Sequence, residues 1–270
     1  MSNTSMRFIS AAVLLFVVVL SFMIGEWASL GIIVLLGALL VHEIEVNFFK
    51  HGRNVMYWAS QVIFLVGFVA FFWYFTPWLK HGFWAASLVL NFSLLYYLFF
   101  TGMENNFFLK LTKIPLLGLI YTLLNFVGLG LLIKLDHWVA LLTLVMIVAY
   151  GMDTGAWFFG RKFGKNPLWP SVSPKKTREG LYGGMLTAGV FGTLFFSLKF
   201  HSFSLLLPFI FALLGLISQL GDLIQSKLKR QANIKDSSAL IPGHGGVFDR
   251  VDSLIFLAPF FLVWVHLWWR

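Results

Sequence analysis

The sequence contains no cysteine. Its absence excludes a disulfide framework, a thiolate metal site and a cysteine nucleophile. Charge is scarce as well. Only 11% of the 270 residues are Asp, Glu, Lys or Arg, against about a quarter in soluble domains. Acidic residues are the rarer sign, eleven against twenty Lys and Arg. With 59% hydrophobic residues and a mean hydropathy of +0.84, the chain is not a soluble domain; it is read as an integral membrane protein. Internal repeats, low-complexity tracts and linkers long enough to separate soluble domains are also lacking, so one polytopic membrane domain is expected over residues 1–270. Arg7 precedes an apolar run, but no small-residue cleavage pattern follows, and the run is read as a retained first span.

What the chain has in abundance is long apolar runs: Phe8 to Ile24, Ala28 to Val41, Met56 to Phe75, Phe83 to Phe100, Ile114 to Ile133, Trp138 to Phe159, Leu181 to Leu198, Phe203 to Leu223 and Val251 to Trp269. These nine predict an all-α polytopic integral membrane protein of about nine transmembrane helices. The first two runs are short and separated only by Gly25, Glu26 and Trp27, which suits a tight hairpin or a partly re-entrant pair. Alternating the loops between the two faces puts sixteen of the twenty Lys and Arg on one side, and only Lys80, Lys134, Lys199 and Arg270 on the other. The positive-inside rule then makes the N-terminus cytoplasmic. The net charge of +9 therefore reflects topology and anionic ligands, and no nucleic-acid partner is expected.

Residues 1–135 read as a helical membrane scaffold whose Glu43, Glu45, Lys50, Arg53, Glu104 and Asn105 are ordinary loop polarity. Polar residues become dense over 150–252. In "YGMDTGAWFFGRKFGKNP", Tyr150, Asp153, Thr154, Trp157 and Arg161 recur at three- and four-residue steps and share a helix face. Asp153 either pairs with a basic residue to fix helix packing or faces a polar cavity. The segment "SPKKTREGLYGG" brings Ser173, Lys176 and Thr177 before a helix, a pattern that can bind phosphate, although a basic loop beside a membrane more often sets topology or contacts anionic lipid. Ser218, Gln219, Asp222, Gln225, Ser226, Lys229 and Arg230 line one face of the eighth span, which must turn toward a polar interior.

After that span comes "IPGHGGVFDRVDS". Pro242 and the glycines break the helix, and Gly245 and Gly246 allow close backbone approach to a ligand. Asp249, Arg250 and Asp252 open the ninth span. Asp222 and Asp249, at the ends of neighbouring spans, could converge on one hard cation; helix capping with an ion pair to Arg250 is the alternative. His244 serves either a turn or the chemistry.

The run from Ser226 through Lys229-Arg230, Lys235-Asp236 and Ile241-Pro242-Gly243-His244-Gly245-Gly246 to Asp249-Arg250-Val251-Asp252 closely resembles the signature of the phosphatidate cytidylyltransferases. "SPKKTREG" and "DTGAWFFGRKFG" resemble further segments of that family, with Arg178 standing where an aromatic is common. The resemblance implies conversion of CTP and phosphatidate to CDP-diacylglycerol and pyrophosphate with Mg2+, in the cytoplasmic membrane and on its cytoplasmic face. It implies that Asp222 and Asp249 bind the metal. Lys229, Arg230, Lys235, Asp236, His244, Arg250 and Asp252 join them in the catalytic region, and Asp153, Ser173, Lys176, Thr177, Glu179, Ser226, Gly245 and Gly246 are placed at the substrates. The partners implied are CTP, phosphatidate within the bilayer and the surrounding membrane lipids, and a homodimer is compatible with the reading. The alternatives are a CTP-dependent lipid-alcohol kinase and a polytopic transporter. The transporter fits less well, because the polar groups cluster in one half of the chain and at one face.

Overall fold

The computed structural model describes residues 3–103, 114, 116–243 and 245–268. His244 lies outside the described residues, as do Glu104, Asn105, Lys110, Lys113, Trp269 and Arg270. The helices in chain order are α1 (Asn3–Ile24), α2 (Glu26–Glu43) running into a π-helical turn (Ile44–Phe48), α3 (Val55–Trp73), α4 (Pro77–Phe100), α5 (Leu117–Ile133), α6 (Trp138–Phe163), α7 (Arg178–Phe200), α8 (Leu207–Gln231) and α9 (Phe248–Trp268). Each of the nine apolar runs falls on one of these helices, so the chain is an all-α polytopic membrane protein. Among the described residues, seven helices are long and apolar enough to cross a bilayer, while Phe8–Ile24 and Leu117–Ile133 are shorter apolar helices. A two-stranded antiparallel hairpin between α6 and α7, β1 (Pro167–Trp169) and β2 (Ser173–Thr177), is the departure from the expected pattern.

Boundaries follow local chemistry. α1 and α2 are joined through Gly25 alone, whose φ of 122° is open to glycine and strained for other residues. Across that junction Ser29 Oγ donates to the Ser21 carbonyl at 3.2 Å. Asn54 caps α3 by accepting from the Tyr57 amide at 3.1 Å. Thr177 caps α7 by accepting from the Gly180 amide at 3.1 Å.

The described residues of Met1–Leu90, Glu104–Lys134 and Lys229–Val251 form one compact unit, and those of Asn91–Met103, Leu135–Leu228 and Asp252–Arg270 form another. In the first, Phe64, Phe68 and Phe126 are buried, and Gly37 and Gly130 leave room for the Phe64 and Phe72 rings. Lys134 Nζ meets Glu26 Oε2 at 3.1 Å, joining two loops that the charge alternation puts on the same face. In the second, Leu98, Val172, Leu223, Ile224 and Phe256 form a core cluster. There α6 and α7 approach through small residues: side chains at Gly155, Gly183 or Gly184 would collide with Thr187, Phe159 or Met152.

The loop alternation gives a topology test that exploits the cysteine-free background. Single Lys175→Cys and Ala239→Cys substitutions, both at exposed positions, are expected to react with a membrane-impermeant thiol reagent from the cytoplasmic side only. His201→Cys is expected to react only from the opposite side. Labelling of 175 and 239 from different sides would contradict the alternation.

Candidate active site

In the first unit, Asp249 sits in the opening turn of α9. Its Oδ1 accepts from Lys229 Nζ at 2.8 Å. Its Oδ2 accepts from the Ser237 amide (2.8 Å), the Gly246 amide (3.0 Å) and Ser237 Oγ (3.0 Å). Both members of the ion pair are largely withdrawn from solvent, with side chains 14% and 7% exposed, so the charges have partners in place of water. The glycine-rich segment is a tight turn closed by the Ile241 amide on the Gly245 carbonyl at 2.8 Å. Gly243 and Gly245 take φ of 74° and 84°, which is why glycine is required there. The Gly246 amide, expected to face a ligand, is engaged by Asp249. A Cβ on Gly246 would collide with Ser237 Oγ and the Glu43 carboxylate.

Glu43 and Glu45 correct the expectation of ordinary loop polarity. Both are buried, Glu43 completely. Glu43 ends α2, and its carboxylate accepts hydrogen bonds from Ser237, Ser238, Val247 and Phe248. Glu45, in the π-helical turn, meets His51 Nδ1 at 2.7 Å. The signal was present in the sequence: acidic residues continuing an apolar run need buried partners. The π-helical turn that aims them has no periodic signature.

In the second unit, Asp222 on α8 accepts from Lys176 Nζ at 2.6 Å on Oδ2 and from Ser226 Oγ at 3.2 Å on Oδ1, and Gln219 Nε2 lies 3.5 Å away. The strand explains why Lys176, and not Lys175, reaches the carboxylate: successive residues of β2 point to opposite faces, and Lys175 is exposed. Ser173 opens the strand opposite Trp169. The Glu179 carboxylate takes the amides of Lys165 and Asn166 and the Asn166 side chain at 2.6 Å, which holds the chain between α6 and β1. Asp252 is buried and accepts from the Ser253 amide at 2.7 Å, while Ser253 Oγ lies 3.4 Å from Asp153 Oδ2. Ser218, Gln219 and Gln225 are buried, as the polar stripe requires. Arg230, Lys235, Asp236 and Arg250 are exposed.

Lys227, one of the sixteen basic residues that the loop alternation puts on the cytoplasmic side, is among the largest fully buried side chains. Its Nζ donates to the carbonyls of Tyr97 (2.7 Å), Leu98 (3.1 Å) and Thr101 (2.6 Å), with Thr101 Oγ1 at 3.0 Å. The ammonium thus satisfies carbonyls that the end of α4 leaves without helical donors.

Asp222 and Asp249 belong to different units, and each already has a lysine. Carboxylate oxygens are the donor type that a hard divalent cation takes. Among the described residues no three or more His, Asp or Glu side chains gather as a metal cage. Magnesium needs no such cage, because one or two carboxylates, water and substrate phosphates complete its shell.

Residues 5–268 match the model of the Cytidylyltransferase family. The chain is similar to the phosphatidate cytidylyltransferase of Haemophilus influenzae, 43% identical over 56% of this chain and 57% of the relative. It is 44% identical to that of Bacillus subtilis over 42% of this chain and 43% of the relative. The Pseudomonas aeruginosa protein of the same name is 41% identical over 52% of this chain and 58% of the relative. The chain thus spans about half the length of the curated relatives it matches.

The Lys227 geometry predicts that Lys227→Met leaves the α4 carbonyls without their buried donor and lowers stability by about 1–3 kcal/mol. A thermal melt of the purified protein checks this, and an unchanged melting temperature would show that the ammonium does not hold α4.

Proposed function

The chain belongs to the cytidylyltransferase family, and we propose that it is a phosphatidate cytidylyltransferase, making CDP-diacylglycerol and pyrophosphate from CTP and phosphatidate at the cytoplasmic face of the membrane. The observation that carries this reading is the pairing of a carboxylate with a lysine in each unit, Asp222 with Lys176 and Asp249 with Lys229. These residues lie in the segments that resemble the family's motifs.

The chemistry asks for little acid–base machinery. A phosphatidate phosphate oxygen, already anionic near neutral pH, forms a bond to the α-phosphorus of CTP. The bond from the α-phosphorus to the oxygen bridging to the β-phosphorus breaks, and its electron pair leaves with pyrophosphate. No proton has to move. The barrier lies in bringing two polyanions together and in line, so cationic groups and alignment supply the acceleration.

Asp222 in its unit and Asp249 in its own are each a carboxylate that would suit Mg2+, which when bound would offset phosphate charge. Lys176 and Lys229 rest on these carboxylates and neutralise them before substrate arrives. When phosphates enter, the lysines turn to them as point charges. Arg230, Lys235 and Arg250, exposed around the same segments, supply further positive charge to the nucleotide. Ser173, Thr177 and Ser226 contribute hydroxyl donors. Asp153 and Asp252, sharing Ser253, order the polar interior of their own unit.

Purified protein given phosphatidate, magnesium and CTP is expected to place α-phosphate label in lipid while γ-label leaves as pyrophosphate, and diacylglycerol should fail as acceptor. A lipid-alcohol kinase would place γ-label in an alcohol lipid, and that result would overturn the reading. Asp222→Asn and Asp249→Asn are each expected to insert normally and to lose on the order of a hundredfold or more in turnover. Near wild-type, magnesium-dependent turnover in either variant would remove that residue from the metal site.

A further inference from the structure

Glu43 is a fully buried carboxylate outside the motifs that accepts four hydrogen bonds. Its Oε1 accepts from Ser238 Oγ at 2.6 Å and the Val247 amide at 2.8 Å. Its Oε2 accepts from Ser237 Oγ at 2.9 Å and the Phe248 amide at 2.8 Å. The two amides open α9, where backbone N–H groups have no helical acceptor. α2 therefore supplies across space the cap that a helix start commonly takes from its own sequence. Asn47, four residues along in the π-helical turn, donates from Nδ2 to the Ser237 carbonyl at 2.7 Å. Two side chains from one stretch of α2 and its turn thus grip both ends of the segment 237–248.

Ser237 links this grip to the chemistry. Its hydroxyl stands 2.9 Å from Glu43 Oε2 and 3.0 Å from Asp249 Oδ2. A hydroxyl has one hydrogen, so it serves one carboxylate at a time. The Ser237 amide, at 2.8 Å, stays on Asp249 in either case. The absence of a side chain at Gly246 lets the three groups meet.

We infer that Glu43 is a positioning residue for cytidylyl transfer. It fixes the glycine-rich turn and, through Ser237, sets the orientation of the Asp249 carboxylate. The Ser237 hydroxyl moves between the two carboxylates, so Asp249 gains or releases one donor while the turn stays in place. This inference rests on the transfer reading above and extends it to a helix that lies outside the signature.

The test uses the purified full chain as wild type, Glu43→Gln, Ser237→Ala and the control Glu26→Gln, which removes an exposed ion pair at the far end of α2. Gln keeps the size of Glu but turns one acceptor oxygen into an NH2 facing two donors. Glu43→Gln is expected to lower kcat about ten- to a hundredfold with KM for CTP nearly unchanged, because misplaced groups cost the transition state more than the ground state. Amide hydrogen exchange in the 237–248 segment is expected to quicken about tenfold or more in that variant. Ser237→Ala keeps three of the four bonds to Glu43 and should lower kcat without speeding exchange at Val247 and Phe248. Glu26→Gln should match wild type in both readouts. A purely structural role predicts less folded Glu43→Gln protein with wild-type kcat per folded molecule, and that result, or unchanged exchange, would overturn the inference. If Glu43→Gln does not fold, Ser237→Ala decides: wild-type kcat there would end the proposed link to Asp249. Absence of cytidylyl transfer by wild type would instead refute the transfer reading, while the exchange measurement would still report on the Glu43 tie.

Discussion

A carboxylate removed from water must be surrounded by donors or it will not stay ionised, and this constraint organises the polar half of the molecule. The chain has only eleven acidic residues, and several of them are committed to holding backbone. Glu43 takes two amides and two hydroxyls. Asp249 takes two amides and an ammonium, and competes with Glu43 for the single hydrogen of the Ser237 hydroxyl. An uncompensated buried ion costs several kcal/mol, so each cluster fixes a loop geometry as strongly as it fixes a charge. Lys227 applies the same rule with the opposite sign at the end of α4.

The same arrangement suits a reaction between two anions. Rigid carboxylates hold lysines in readiness, and lysine can exchange one anionic partner for another because its ammonium is a compact charge on a flexible stem. The groups that stay fixed and the groups that move are thus different. In the proposed reaction the aspartates and backbone amides define the positions, the Ser237 hydroxyl turns between two carboxylates, and the lysines follow the charge.

Hydropathy disclosed the membrane class and the helices, because apolar runs are a one-dimensional signal and the bilayer sets their length. The polar stripe on α8 was legible for the same reason, since Ser218, Gln219 and Gln225 recur at helical spacing and are buried. The β1–β2 hairpin was not: Ser173–Thr177 is short, carries Pro174 and two lysines, and reads as a loop until its partner strand is seen. Glu43 and Lys227 were misjudged because their partners lie far along the chain, at 237–248 and 97–101 respectively. The end of an apolar run marks Glu43 as needing buried partners without showing which, and for Lys227 only tertiary contact reveals the burial. The motif residues stand out in the sequence by their spacing, but Ser237, which bonds Asp249 through its amide and hydroxyl, carries no signature of its own.

The central claim is that positioning and charge neutralisation accomplish transfer in one displacement, without a covalent cytidylyl–protein intermediate. The stereochemical course at the α-phosphorus tests it most directly. With a single diastereomer of CTP carrying sulfur on the α-phosphorus, direct in-line attack by the phosphatidate oxygen predicts a lipid product of inverted configuration. Retention of configuration would require two displacements and a nucleophile on the protein, and would contradict the account.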